Sequence, residues 1–327
     1  MVISQTPYRI SFFGGGTDYT EYFIEHGGSV ISTTIDRYCY LTLRRLPPFF
    51  EHQSRLSYSK IELFNHAEEV QHPAVKVCLS YMNLRGVSIT HDGDLPARAG
   101  LGTSSTFTVG LLNAMHALKG EYVDSMSLAK EAIHVEQNLM HENVGVQDQL
   151  AAAIGGLNRL YFTADGYEYR PIIMNAKKKV ELSDNLMLFF TGIFRYATEI
   201  ADEQVKNTKN KLTELREILQ IVDEGEKILT NHSDLNDFGR LLHESWMLKR
   251  GLSSKISNSE IDTMYQKARE AGALGGKILG AGGGGFILFY VEKENQEYVR
   301  RALKDLLYVP FNFSQMGSRI VYSTPEQ

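Results

Sequence analysis

A run rich in glycine and serine at residues 96–105, PARAGLGTSS, passes straight into the apolar segment 106–118. Gly100 and Gly102 release the backbone so that several N–H groups can face one point, while Ser104 and Ser105 offer a helix cap and a hydroxyl for a metal ion. The positive end of the helix that follows is aimed at the same point. Pro96, Ala97, Arg98, Ala99, Gly100, Leu101, Gly102, Thr103, Ser104 and Ser105 are thus a candidate phosphate cradle that needs no charged side chain. The run is neither the GxxxxGK[ST] nor the GxGxxG pattern. Its plain alternative is a turn ending in an ordinary N-cap.

Three further segments bear on that choice. Near the N-terminus, PYRISFFGGGTDYTEYF puts Arg9 in a strand and glycines, including Gly15 and Gly16, before Thr17 and Asp18. Glycines permit close approach of a ligand, and Asp18 there can accept hydrogen bonds from two sugar hydroxyls, or else it caps its own turn. Glu136 and Asp148 are too far apart to share a helical face, so they converge only if residues 142–146 fold the chain back. A converged pair beside a phosphate cradle suits Mg²⁺, whereas Glu136 alone reads as a solvated helix residue. Gly280, Gly282, Gly283, Gly284 and Gly285, between two strand-like runs, require close backbone approach, by a ligand or by the phosphate-binding helix.

The elements that carry these segments are legible in outline. YRISFFGG, GSVISTTID, CYLTLRRL, RLSYS and VSITHDGDLP are β-rich runs between turn signals, and helical periodicity follows at 106–118 and 127–141. AAAIGGLNRLYF then passes from helix to strand. A second unit opens with NLMLFF near Leu186 and continues as amphipathic helical sequence at 198–228, 234–252 and 259–271. Beyond the glycine segment the pattern predicts a helix at 296–307 and strands in VPFNFS and RIVYS. The fold class is α+β, with units at 1–185 and 186–327 and a cleft between them as the ligand site. Trp246, Phe189 and Phe190 read as core, and Lys177, Lys178 and Lys179 as a solvated strand end.

The 327 residues are 43% hydrophobic with a formal net charge of −5, which gives no footprint for nucleic acid or an anionic membrane. Cys39 and Cys78 lack metal or disulfide spacing and read as buried thiols; His134 and His141 lack zinc spacing. No secretion signal or spanning stretch is visible, so the expectation is a cytoplasmic, soluble monomer or homodimer.

Taken in order, PYRISFFGGGTDY, PARAGLGTSS and KILGAGGGGFILFY resemble the three motifs of the GHMP kinase family, and the likeness spans nearly the whole chain. The resemblance implies an N-terminal domain like ribosomal protein S5 domain 2 and a ferredoxin-like C-terminal domain, with ATP and substrate in the cleft. It also implies that the second motif wraps the ATP phosphates, that Ser104 and Glu136 bind Mg²⁺, and that Asp148 of GVQDQ is the catalytic aspartate. Arg9 matches the basic residue near the transferred phosphate, and Asp18 the sugar-binding aspartate. Gly15, Gly16 and Thr17 of the first motif and Gly283 of the third fall with the substrate site.

Gly15 and Gly16 stand where galactokinases carry a Glu-His pair, which argues against galactose. GGGTDY, SWMLKRGLSSKIS and GGKILGAGGGGF look instead like the branch that phosphorylates D-glycero-D-manno-heptose 7-phosphate at its anomeric oxygen, giving the 1,7-bisphosphate, or L-fucose. A phosphorylated acceptor needs fixed cations. Arg195, Lys249 and Arg250 are candidates, each equally readable as a surface ion-pair partner, and Arg44 and Arg45 are weaker because adjacent strand residues face opposite ways. Another reading is a non-catalytic sensor of ATP and sugar; retention of Asp148, Glu136 and Ser104 argues against it.

Overall fold

The structure is a computed structural model that describes residues 1–324 apart from Arg98, Arg195 and Tyr196. From the N-terminus the chain forms β1 (Val2–Phe13), α1 (Thr20–His26), β2 (Gly28–Arg45), β3 (Ser54–Ser57) and β4 (Ile61–Phe64). Helix α2 (Pro73–Tyr81) and strand β5 (Val87–Gly93) lead to α3 (Thr103–Lys119) and α4 (Ser125–Ile133). A π-helical turn, His134–Leu139, extends α4, and α5 (Gln147–Ile154), β6 (Asn158–Thr163), β7 (Gly166–Pro171) and α6 (Ala176–Asp184) follow. Then come β8 (Leu186–Phe190), α7 (Ala197–Asn207), α8 (Leu212–Thr230), α9 (Asn236–Arg250) and α10 (Ser259–Glu270). The chain closes with β9 (Gly275–Ile278), β10 (Phe286–Tyr290), α11 (Gln296–Ala302), β11 (Leu307–Tyr308), β12 (Phe313–Ser314) and β13 (Arg319–Ser323).

Two sheets organise the molecule. In the first, strand order is β13-β1-β2-β5-β3-β4, with β6 and β12 also pairing with β2 and β7 with β6; the second has order β11-β8-β10-β9. The runs GSVISTTID and CYLTLRRL, expected as separate strands, are the single strand β2, long enough to pair with β6 at one end and β5 at the other. In the second sheet β8 (LMLFF) and β10 (FILFY) are apolar throughout and almost wholly buried, as strands covered on both faces must be. The expected boundary at 185/186 falls just before β8. Yet β13 returns to pair with β1 and β12 with β2, so the last strands belong to the first sheet rather than to the second unit.

Helix α3 lies against β1 and β2, and its Phe107, Val109, Leu111, Leu112, Ala114 and Met115 are all buried. That all-round burial explains why the segment carries no charged face until Lys119. A second core gathers Trp246, Phe189, Phe289, Ile256 and Ile287, and Trp246 is fully buried as its sequence pattern predicts. The lysine run differs from expectation: residues 177–179 lie within α6, capped by Asn175, and Lys178 is buried with its Nζ donating to the carbonyls of Ile228 and Asn231. It thereby satisfies carbonyls at the C-terminal end of α8 that the helix cannot pair itself. Cys39 and Cys78 are buried free thiols, whose ionisation burial pushes up. Among the described residues no helix is long and apolar enough to cross a membrane.

Candidate active site

Gly102 sits in the left-handed region at φ 70° and is the residue before the first turn of α3, with no side chain capping the helix. Neither Ser104 nor Ser105 is therefore the cap expected from the sequence. The first turn of a helix cannot pair its own N–H groups, so an uncapped start aims them, with the helix dipole, into the loop. Gly100, at φ 81°, lets the loop press against the glycine-rich third segment: a Cβ on Gly100 would lie 2.4 Å from the Leu279 carbonyl oxygen. A Cβ on Gly280 would lie 2.6 Å from Gly100 Cα, and one on Gly285 2.3 Å from the Ala99 oxygen. The close approach that Gly280 and Gly285 demand is therefore to the loop at 96–105, whereas Gly282 and Gly284 press against Ile256 and Ile193. Gly283 donates its N–H to the Ile256 carbonyl at 2.9 Å, so that donor is spent on the fold.

Glu136 is fully buried on the π-helical turn, so it is not the solvated residue that its helix suggested. Its Oε2 accepts from Ser105 Oγ at 2.8 Å and from Gln149 Nε2, while Oε1 has no partner among the described residues. Burial pushes this carboxyl up to about 7, against the opposing hydrogen bonds from Ser105 and Gln149. The hydroxyl that meets Glu136 is Ser105, not Ser104: adjacent helical residues diverge by about 100°, and Ser104 is exposed on the outer side of the first turn. Residues 142–146 do fold the chain back: Glu142 N–H bonds the Glu136 carbonyl at 2.9 Å and Val146 N–H bonds the Asp18 carbonyl at 3.1 Å. Helix α5 then sends Gln149 to Glu136 and Asp148 to a different partner.

That partner is Arg9. Its Nε and Nη2 donate to the two Asp148 oxygens at 2.7 and 2.8 Å, a bidentate ion pair, and its Nη1 donates to the Gly100 carbonyl at 2.8 Å. Arg9 is 2% exposed, whereas the Asp148 side chain retains 23% exposure, so the carboxylate is held rigidly yet still reachable. A Cβ on Gly102 would stand 3.2 Å from both Asp148 Oδ2 and Arg9 Cγ. The phosphate loop and the ion pair are thus in direct contact.

Beside them is the turn that follows β1. Asp18 is buried; its Oδ1 accepts the Gly16 N–H at 2.9 Å and its Oδ2 accepts Gln147 Nε2 at 2.8 Å. Burial raises its carboxyl, with Asp148 adding to the shift and Lys249 opposing it. Thr17 is fully buried and its hydroxyl is committed to the Gly14 and Ser29 carbonyls and the Ser29 N–H, so the expected substrate contact from Thr17 is corrected to a structural one. Gly15 leaves room for Lys249, whose Nζ lies 3.3 Å from where a Gly15 Cβ would be. Lys249 is 7% exposed, donates to the Gly280 carbonyl at 2.8 Å, and is pushed down to about 8 by burial.

The other cations separate cleanly. Arg250 is a half-exposed partner of Asp262 at 2.6 Å, and Arg45 is exposed and bonds the Arg85 carbonyl. Arg98 and Arg195 lie outside the described residues. Sequence reasoning missed Lys277, which is 2% exposed and donates at 2.9 Å to the Ser11 and Phe12 carbonyls, tying β9 of the second sheet to β1 of the first. Burial among Lys249 and Arg9 lowers its ammonium well below the ordinary lysine range. Its only signal was a lone lysine inside an apolar strand. Gln147 and Gln149, flanking Asp148, were missed as well.

The profile described as GHMP kinases N terminal domain matches residues 65–156, and that described as GHMP kinases C terminal matches residues 227–309. A D-glycero-alpha-D-manno-heptose 7-phosphate kinase of Campylobacter jejuni is 29% identical, over 96% of this chain and 97% of its own. An L-fucokinase/L-fucose-1-P guanylyltransferase of Bacteroides fragilis is 26% identical over 92% of this chain, which spans 35% of that longer protein. The crystal structure of a D-glycero-D-manno-heptose 1-phosphate kinase from Bacteroides thetaiotaomicron superposes with a TM-score of 0.80 at 25% identity, covering 99% of this chain and 100% of that one. With both profiles matched in order along it, the chain belongs to the GHMP kinase family and is an ATP-dependent sugar kinase.

Proposed function

We propose that the protein transfers the γ-phosphoryl group of ATP to the anomeric hydroxyl of D-glycero-D-manno-heptose 7-phosphate, forming the 1,7-bisphosphate. The observation that carries this reading is a buried ammonium, Lys249, set beside Asp18 and the Arg9–Asp148 pair. Such a cation suits an acceptor that carries a phosphate of its own. The relatives named for heptose phosphates support the same choice.

ATP supplies the phosphoryl group, and the N–H groups of the loop at 96–105 and the start of α3 neutralise its charge. Mg²⁺ fits the residues present: Glu136 offers a buried carboxylate with one unpartnered oxygen, beside the hydroxyls of the first turn of α3. Ser104 and Glu136 remain the proposed metal ligands, with Ser105 orienting Glu136. Arg9 fixes the plane of the Asp148 carboxylate, and Asp148 accepts the proton as the anomeric oxygen bonds to the γ-phosphorus and the bond from that phosphorus to the bridging oxygen breaks, releasing ADP. Because an anomeric hydroxyl is more acidic than an ordinary alcohol, a carboxylate suffices as the base.

The test is Mg·ATP-dependent ADP release against the heptose 7-phosphate, L-fucose, galactose and phosphomevalonate. Turnover confined to the heptose phosphate is expected; turnover of L-fucose instead would overturn the acceptor, and silence on every sugar would overturn catalysis in favour of a sensor. Asp148→Asn is expected to keep ATP binding and lose about 10²–10⁴-fold in kcat. An active Asn variant would remove Asp148 as the base.

A further inference from the structure

Three buried polar atoms, carried by side chains that border the turn Gly15–Gly16 from separate elements, have no hydrogen-bond partner among the described residues: Ser11 Oγ from β1, Gln147 Oε1 from α5 and Gln204 Nε2 from α7. Ser11 and Gln204 are each 4% exposed. A Cβ on Gly15 would stand 4.0 Å from Ser11 Oγ and 4.0 Å from Gln147 Nε2, and one on Gly16 only 2.6 Å from Gln204 Nε2. The Gln147 amide is oriented by chemistry, because its nitrogen must face the Asp18 carboxylate that it donates to, and this leaves its oxygen unpaired. A buried polar atom left unpaired has lost its hydrogen bonds to water with nothing in return. Three such atoms around one glycine turn are a set held ready for something that supplies both donors and acceptors.

We propose that Gln204, with Ser11 and Gln147, is a specificity-determining contact for the hydroxyl groups of the sugar acceptor, at positions other than the one phosphorylated. The set matches a polyol in kind: Gln204 Nε2 donates, Gln147 Oε1 accepts and the Ser11 hydroxyl does either, which is what neighbouring hydroxyls on one sugar face require. Gly16 is glycine partly because any Cβ would strike Gln204, so the turn and α7 are fitted to each other. Helix α7 lies between β8 and α8, outside all three motif segments, and so contributes to acceptor choice from a part of the chain that the motifs do not constrain. The inference rests on the reading of this turn as the acceptor site, but not on which sugar it takes.

The experiment compares Gln204→Leu and Ser11→Ala with the unaltered protein on the four-acceptor panel, recording KM for acceptor, KM for ATP and Tm with and without sugar. Each variant is expected to raise the acceptor KM by about 3- to 10-fold, leave the ATP KM in place and leave Tm unchanged or higher, since an orphaned buried group has been removed. A lower Tm with unchanged acceptor KM would make these residues structural and overturn the proposal, as would an equal rise in both KM values. If a different sugar is turned over, the heptose reading fails while this one is scored on that sugar. If none is turned over, the sugar-induced rise in Tm replaces KM; its persistence in Gln204→Leu, or its absence in the unaltered protein, overturns the proposal.

Discussion

At the level of single residues, the site is a set of ionisable groups removed from water, some paired with an opposite charge, as Arg9 is with Asp148, and others held only by hydrogen bonds, as Glu136 is. Lys249 carries the clearest consequence for pH. Its ammonium is pushed down to about 8 by burial, so the free protein loses that charge as pH rises through about 8. The kcat/KM for a phosphorylated acceptor is therefore expected to fall above pH ~8, approaching tenfold per pH unit, and Lys249→Met is expected to lower it at pH 7 and flatten the profile. An unchanged alkaline limb in the Met variant would show that another group titrates there. Glu136 gives a prediction of opposite character. Its carboxyl is raised to about 7 from the usual carboxylate range, so the folded protein binds that proton more tightly than the unfolded chain does. The associated stability is present at low pH and lost as pH rises from about 4.5 through about 7. In chelator, Tm should decline over that window in the unaltered protein, and Glu136→Gln should lessen the decline; an identical decline in the variant would contradict the assignment.

At the level of elements, the glycines of the phosphate loop divide into two kinds, and substitution should tell them apart. Gly100 faces backbone, with the Leu279 oxygen 2.4 Å from a hypothetical Cβ, and nothing there can yield without moving the third segment. Gly102 faces side chains, those of Arg9 and Asp148, at 3.2 Å. Both have positive φ, which costs a residue with a Cβ roughly 1–2 kcal/mol in either case. Gly100→Ala is expected to lower Tm by several degrees beyond Gly102→Ala, whereas Gly102→Ala is expected to reduce kcat at least tenfold by displacing the ion pair. Thermal melts alongside steady-state kinetics decide the matter, and equal losses in both variants would dissolve the distinction.

For the whole molecule, the two sheets are joined by more than the chain. Lys277 ties β9 to the carbonyls of Ser11 and Phe12, the loop at 96–105 lies against the glycine segment, and β13 pairs with β1. A fragment of residues 1–185 lacks β12 and β13, leaves an edge of β1 bare and removes every partner of the phosphate loop in the third segment. It is expected to show no cooperative melt by circular dichroism, and to aggregate, as a long exposed strand edge does. A sharp, reversible transition would mean that the first sheet is autonomous despite its returning strands.

The sequence by itself determined the family, and it singled out the candidate site residues. The glycine and serine runs, Asp148, Arg9 and Asp18 were legible because local backbone freedom and short-range helix geometry make those residue types informative without knowledge of the rest of the chain. The apolar runs of β8 and β10, and the amphipathic helices after them, were legible by period. What period could not convey was partnership over long separations. Ser105 rather than Ser104 meets Glu136 because of the rotation of α3 about its own axis, and Thr17 is structural because Ser29 of β2 passes beside it. Lys178 caps a helix that begins more than thirty residues later in the sequence. Lys277 and Gln204, a lone lysine in a strand and a glutamine in a charged helix, gained meaning only when packing buried them beside the turn after β1. Burial and the meeting of distant elements set the cost of an unpaired polar atom, and only the tertiary structure decided where that cost falls.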